Sequence, residues 1–193
     1  MAKMANETGL TKCAANYVPL TPLSHLKRAR DVYPNRDALV YGARRHTYEE
    51  YYNRCSQLAS ALEKQGIRPG EVVSTICPNI PAIIEANFGV PASGAVLNTI
   101  NTRLDADTIA YILAHSEAKI VLVDTQFIPV TLEAISTMTT DAPTIIEVAD
   151  ATAGFPPTGN HVEYEDFIAR GDPHHAWHMP EDEWDAISLN YTS

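Results

Sequence analysis

The sequence predicts an α/β fold, a largely parallel sheet layer flanked by helices. Three observations carry this. β-Branched apolar runs recur at 72–76, 120–123 and 144–148. Segments with helical spacing separate them. The run at 120–123 (Ile-Val-Leu-Val) has no polar alternation, which marks a strand covered on both faces, as in parallel sheets. Strand–helix alternation at this short spacing selects a layered, right-handed, largely parallel arrangement.

The elements follow in order. Residues 1–22 are polar and weakly patterned and are expected to form an extended arm; residues 23–193 read as one unit. A helix over 23–32 has Leu23, Leu26 and Ala29 at helical spacing, and Pro34 ends it. Its Lys27, Arg28 and Arg30 read as a solvated face. Strands at 38–41 and 44–47 form a hairpin about Gly42-Ala43. Thr47 and Glu50 make a capping box. Tyr48, Tyr51, Tyr52, Cys55, Leu58, Ala59 and Leu62 then form one apolar helix face, and Gly66 closes it. The turn at 68–70 leads into the strand at 72–76. Asn79 is expected to cap the next helix, with Pro81 in its first turn and Pro91 kinking or ending it. A strand over 94–99 follows. Asp105 caps a helix whose face is Ile109, Ile112 and Leu113. After the strand at 120–123 come a helix over 127–137, the strand at 144–148 and a loop at 149–160. A short helix at 164–169, an irregular exposed connection at 171–182 and a last strand at 186–191 complete the chain.

Composition narrows the function. The net charge of −10 disfavours a nucleic-acid partner. A small anion remains open, because backbone N–H groups can bind phosphate within an acidic protein. Cys13, Cys55 and Cys77 are odd in number and far apart, so neither a disulfide framework nor a zinc site is expected. No apolar run reaches the ~20 residues that span a bilayer, and residues 1–10 lack the apolar core of a secretion signal; the expected location is cytoplasmic. His174, His175 and His178 are close together, but the surrounding Pro and Asp read as an exposed loop, so no metal ligand is assigned. Asp182 and Glu183 read as surface charge. No G-x-S-x-G, G-x-G-x-x-G or H-E-x-x-H motif occurs.

The order of segments carries a resemblance. Residues 37–41 followed by Thr47-Tyr48-Glu49-Glu50 are similar to a hairpin and a "T-Y-x-E-L" helix start. Residues 66–73 are similar to a "G-V-x-x-G-D-x-V" turn. Residues 78–81, 88–90 and 94–96 follow; 98–104 stand where a "G-A-x-x-x-x-x-N-P" segment belongs, and 118–124 match the strand after the next helix. Tyr191-Thr192-Ser193 falls at the start of a "Y-T-S-G-T-T-G-x-P-K-G" loop. From about residue 23 to 193 the chain resembles the adenylate-forming superfamily of acyl-CoA synthetases, luciferases and peptide-synthetase adenylation domains. The wording at 101–104 looks most like synthetases for short- to medium-chain or methylthio-substituted acids.

The resemblance implies the large N-terminal domain of an ATP-dependent acyl-CoA synthetase. Such enzymes join a carboxylic acid to the α-phosphate of ATP, then pass the acyl group from AMP to CoA. It implies ATP, Mg²⁺ and CoA as cofactors, a small carboxylic acid as partner, and a possible homodimer. Thr192 and Ser193 would be the first two hydroxyl residues of the phosphate loop; no catalytic residue is assigned. The loop glycines, the loop lysine and the small C-terminal domain are not in this sequence, so the chain alone is expected to be inactive, with exposed sheet edges and an exposed apolar face. Two alternatives stand beside this: a stand-alone non-catalytic binding or assembly module, and a flavodoxin-like binding domain unrelated to adenylation.

Overall fold

A computed structural model describes residue 9 and residues 11–192. The elements are α1 (Pro22–Val32), β1 (Asp37–Tyr41), β2 (Arg44–Thr47), α2 (Tyr48–Lys64), β3 (Val72–Ile76), α3 (Pro81–Ala92), β4 (Val96–Thr99), α4 (Ala106–His115), β5 (Ile120–Asp124), α5 (Ile128–Thr137), β6 (Thr144–Val148), β7 (Val162–Glu163), α6 (Tyr164–Ile168) and β8 (Ser188–Leu189). β1 and β2 form a separate antiparallel hairpin. The other six strands make one sheet in the order β7-β6-β5-β3-β4-β8, and every pairing in it is parallel. The predicted α/β class is therefore observed. The connections reverse direction between β3 and β5, the switch point of a doubly wound sheet.

Side-chain alternation divides the core. Val73, Leu97, Leu122 and Ile146 meet Leu58 and Leu62 of α2, Ala86 and Val90 of α3, and Phe167 of α6. Ile76, Val121, Val123 and Ile145 meet Ile109 and Ile112 of α4 and Ala134 of α5. Covering both faces lets β5 be apolar throughout.

Local signals decide the helix ends. The Thr47–Glu50 capping box forms with both hydrogen bonds. At the other end of α2 the Gly66 N–H donates to the Glu63 carbonyl and the Ile67 N–H to the Leu62 carbonyl. Gly66 has φ +97°, the left-handed conformation this stop requires. Asp105 caps α4 by accepting from the Thr108 N–H at 2.8 Å.

Three sequence expectations need correction. Asn79 does not cap α3; Ile80 occupies that position with no side-chain cap. Pro81 at the first helical position has no N–H to satisfy, and Ile80 is anchored instead by burial in the core. The strand expected over 94–99 starts only at Val96, because Gly94 is a turn residue with φ +80°. The strand expected over 186–191 has only Ser188 and Leu189 in ladder geometry, at the sheet edge beside β4. The connection at 171–182 is irregular and largely exposed, as expected, and it is also docked on α2. Gly171 lies directly on the Gln57 carbonyl of α2, where no side chain would fit. Trp177 stacks on Tyr52 at 4.3 Å and donates its indole N–H to Ser56 Oγ at 2.8 Å. The segment straps α2.

The exposed edges are short, since β7 and β8 have two residues each. Large exposed apolar side chains, such as Val18, Tyr111 and Trp184, are scattered along the chain. No helix among the described residues is long and apolar enough to cross a membrane.

Candidate functional site at the carboxyl edge of the sheet

Parallel strands present their carboxyl ends on one edge, where doubly wound sheets bind ligands. β4 and β8 run together there, with Leu97 opposite Ser188 and Asn98 opposite Leu189. The chain leaves β8 through Asn190 and Tyr191 to Thr192, which is exposed. Ser193 lies outside the described residues.

A groove of about 520 Å³ opens beside Thr192. It is lined by Thr99, Asn101, Leu104, Thr108 and Tyr111, with the buried Ile100 and Ile112 among its apolar residues. Asn101 shapes the rim by accepting the Arg103 N–H at 3.0 Å. The Asp105 cap is next to it; hydrogen bonds from Thr108 hold its carboxyl below the usual range. The groove therefore combines apolar side chains, short hydroxyl and amide groups and the two tyrosines Tyr111 and Tyr191, a composition suited to an organic ligand with a polar end.

Tyr191 bounds the groove on the sheet side. Its phenol lies 2.7 Å from His115 Nδ1. A phenol is protonated at neutral pH and can donate to the imidazole; burial pushes it further above its ordinary value.

Buried polar atoms also collect at this edge. Among the described residues, Thr75 Oγ1, Asn98 Oδ1 and Asp124 Oδ2 are buried without a hydrogen-bond partner. Each belongs to the last two residues of its strand, on the neighbouring strands β3, β4 and β5. Such atoms are rare in a native interior, and here they fall at the edge where ligand chemistry is expected. Burial raises the Asp124 carboxyl, although the Gln126 N–H opposes this.

The histidines of the strap have local partners. His175 Nε2 is 3.1 Å from Glu63 Oε1, and the His178 N–H donates to the Ala92 carbonyl. Among the described residues no group of three or more His, Cys, Asp or Glu could hold a metal ion. Thr192 presents an exposed hydroxyl at the groove. Cys55 and Cys77 are buried, and burial pushes both thiols up, so they are core residues.

The model of the AMP-binding enzyme family matches residues 26–193. The chain belongs to the AMP-binding enzyme family. It is 44% identical over 196 residues to the acetate/butyrate–CoA ligase AAE7, peroxisomal, of Arabidopsis thaliana, covering 95% of this chain and 34% of that protein. It is 43% identical to the acetate–CoA ligase CCL3 of Humulus lupulus over the same shares. The trans-cinnamate:CoA ligase, peroxisomal, of Petunia hybrida is 43% identical, with 95% of this chain and 35% of that protein covered. The fold matches the anthranilate CoA ligase AuaEII, solved with anthranoyl-AMP, at a TM-score of 0.83 and 23% identity, over 95% of this chain and 34% of that one. The chain spans about a third of the length of the curated relatives it matches.

Sequence reasoning reached Thr192 but missed the pairing of His115 with Tyr191. The i, i+4 spacing of Tyr111 and His115 signals a shared helix surface. Nothing local signals a partner 76 residues away.

Proposed function

We propose that this chain is the N-terminal portion of an ATP-dependent acyl-CoA synthetase acting on a short-chain carboxylic acid. The observation that carries this is the family match over residues 26–193, together with relatives named as acetate and butyrate ligases. In this reading residues 23–193 form the first subdomain of the large domain. The carboxylate attacks the α-phosphorus of ATP, the bond to the bridging oxygen breaks, and pyrophosphate leaves. A thiol, that of CoA, then attacks the acyl carbon and AMP leaves. Bound Mg²⁺ supplies charge neutralisation for the polyphosphate.

The part of this chain in that chemistry is positional. Thr192 and Ser193 begin the phosphate loop and donate hydroxyl hydrogen bonds to phosphate oxygens. Stabilisation of leaving pyrophosphate needs donors fixed before the reaction. β4 and the short edge strand β8 lead the chain to that point. The free thiols suit the reducing cytoplasm; relatives named peroxisomal raise the peroxisome as the competing location.

The test is ATP–pyrophosphate exchange with acetate, butyrate and cinnamate. The 193-residue polypeptide alone is expected to give none. The protein encoded by the uninterrupted reading frame is expected to exchange with at least one of these acids. Exchange by the 193-residue chain would overturn the division of roles; none by the longer protein with any of the acids would overturn the reaction.

A further inference from the structure

We propose that His115 is a positioning residue for the phosphate loop: with Tyr111 it clamps Tyr191 and so fixes where the chain delivers Thr192. The loop chemistry rests on the function proposed above; the clamp stands on geometry alone.

Tyr111 and His115 lie one turn apart on α4, the spacing that puts side chains on one face. Their rings stack at 5.4 Å with an interplanar angle of 21°. Tyr191 meets both edge-on, at 5.8 Å and 82° to His115 and at 6.5 Å and 84° to Tyr111. These are favourable aromatic arrangements. The phenol–imidazole hydrogen bond of 2.7 Å closes the triangle. A phenol can donate to a neutral imidazole or accept from a protonated one, so the contact survives a change of charge on His115.

The need for a clamp comes from the weakness of β8. Its ladder covers two residues. Past Leu189 the tie to β4 is a 3.5 Å side-chain contact between Thr99 and Asn190. Tyr191 is the next residue; it lies outside the β8 ladder, and its ring meets Tyr111 and His115 of α4.

The anchor is itself rigidly set. Ser116 caps α4, and the chain turns through Glu117 at φ +53°. The Glu117 N–H donates to the Ala114 carbonyl and the Ala118 N–H to the Leu113 carbonyl, the double stop of a Schellman end. Ala118 and Leu113 are buried. His115 is thus fixed to the core by its neighbours while its ring meets Tyr191. Holding the residue before Thr192 lowers the entropy lost when that hydroxyl is presented to a phosphate.

The test uses the 193-residue chain and backbone order parameters at residues 189–192. The clamp requires values near the rigid ~0.85 in the native chain and a fall below about 0.6 in His115→Ala. His115→Asn, which keeps a hydrogen-bonding group at the Nδ1 position, should recover part of the order. Tyr191→Phe should loosen the segment and also shift the imidazole ¹⁵N resonance of His115. The double variant His115→Ala/Tyr191→Phe should be no looser than His115→Ala, because both changes remove the same contact. Unchanged order in His115→Ala, additive effects in the double variant, or loosening spread equally into α2 would overturn the clamp. No nucleotide enters this readout, so its failure is separate from a failure of pyrophosphate exchange.

Discussion

The two faces of the sheet are built on opposite plans. The face under α2, α3 and α6 is sealed around a buried charge network. Arg54 makes two hydrogen bonds to Glu85, at 2.6 and 3.1 Å, and two to Glu165, at 2.9 and 2.7 Å. Glu85 is fully buried and also accepts the Tyr164 hydroxyl at 2.8 Å. Three helices are pinned to each other through one guanidinium. The face under α4 and α5 has an apolar core, but its carboxyl end opens into the groove, and its aromatic groups at Tyr111 and Tyr191 are partly exposed. The difference is one of construction: one face is closed by an ion network that joins three helices, the other ends in an open groove.

The strongest break in this comparison is Arg54→Ala. Burial opposes the charge on Arg54, and the hydrogen bonds to Glu165 and Glu85 more than offset it, holding the guanidinium above its ordinary value. Removing it leaves Glu85 buried and uncompensated. A loss of about 3–5 kcal/mol is expected in urea unfolding. A loss below about 1 kcal/mol would mean that the network is not what seals this face. Glu165 is half exposed, so the outer pair contributes little by comparison.

Most of the sealed face was legible in the sequence because its signals are local. The Thr47–Glu50 cap, the apolar stripe from Tyr48 to Leu62 and the Gly66 stop are read within a few residues of each other. The partners of Arg54 are not legible, since Glu85 and Glu165 lie 31 and 111 residues away. The strap at 171–182 shows the same limit. Its Pro, Asp and His look like a free loop, and only the docking of Trp177 against Tyr52 and Ser56 makes it part of the scaffold. At the candidate site, the resemblance of Tyr191-Thr192-Ser193 to the start of a phosphate loop is read from the sequence as a motif. The groove is not, because it arises from β4, α4 and residues 191–192 meeting across about ninety residues.

A second prediction concerns the carboxyl edge, where a charge is held without full compensation. The Asp124 carboxyl is raised, by burial first and by Asp150 in addition. The sign follows from linkage. A folded value above the unfolded one means that the native state binds the proton more tightly. Stability is then highest below the unfolded value, about 3.9. It declines as pH rises through the folded value. Asp124→Asn keeps an oxygen for the Gln126 N–H and removes the charge. Its Tm should match that of the native chain near pH 3 and exceed it at pH 7–8, with the gap widening between. A gap that is constant across this range would mean that the charge is already compensated.

The smallest expected effect lies where the two faces use the same device differently. α2 and α4 both end in a Schellman pattern, but α2 places Gly66 in the left-handed position and α4 places Glu117, at φ +97° and +53° respectively. A side chain in that conformation costs about 1–2 kcal/mol relative to a right-handed one. Glycine would relieve this, but it brings its own loss of backbone entropy on folding, about 0.5–1 kcal/mol. Glu117→Gly should therefore stabilise the chain by less than about 1 kcal/mol, measured as a small rise in the urea midpoint with an unchanged slope. Gly66→Ala makes the opposite change in the same geometry and should destabilise. If both substitutions moved the midpoint in the same direction, the left-handed strain at residue 117 would not be what distinguishes the two helix ends. The tightness of the α4 end would then have to come from Leu113 and Ala118 in the core.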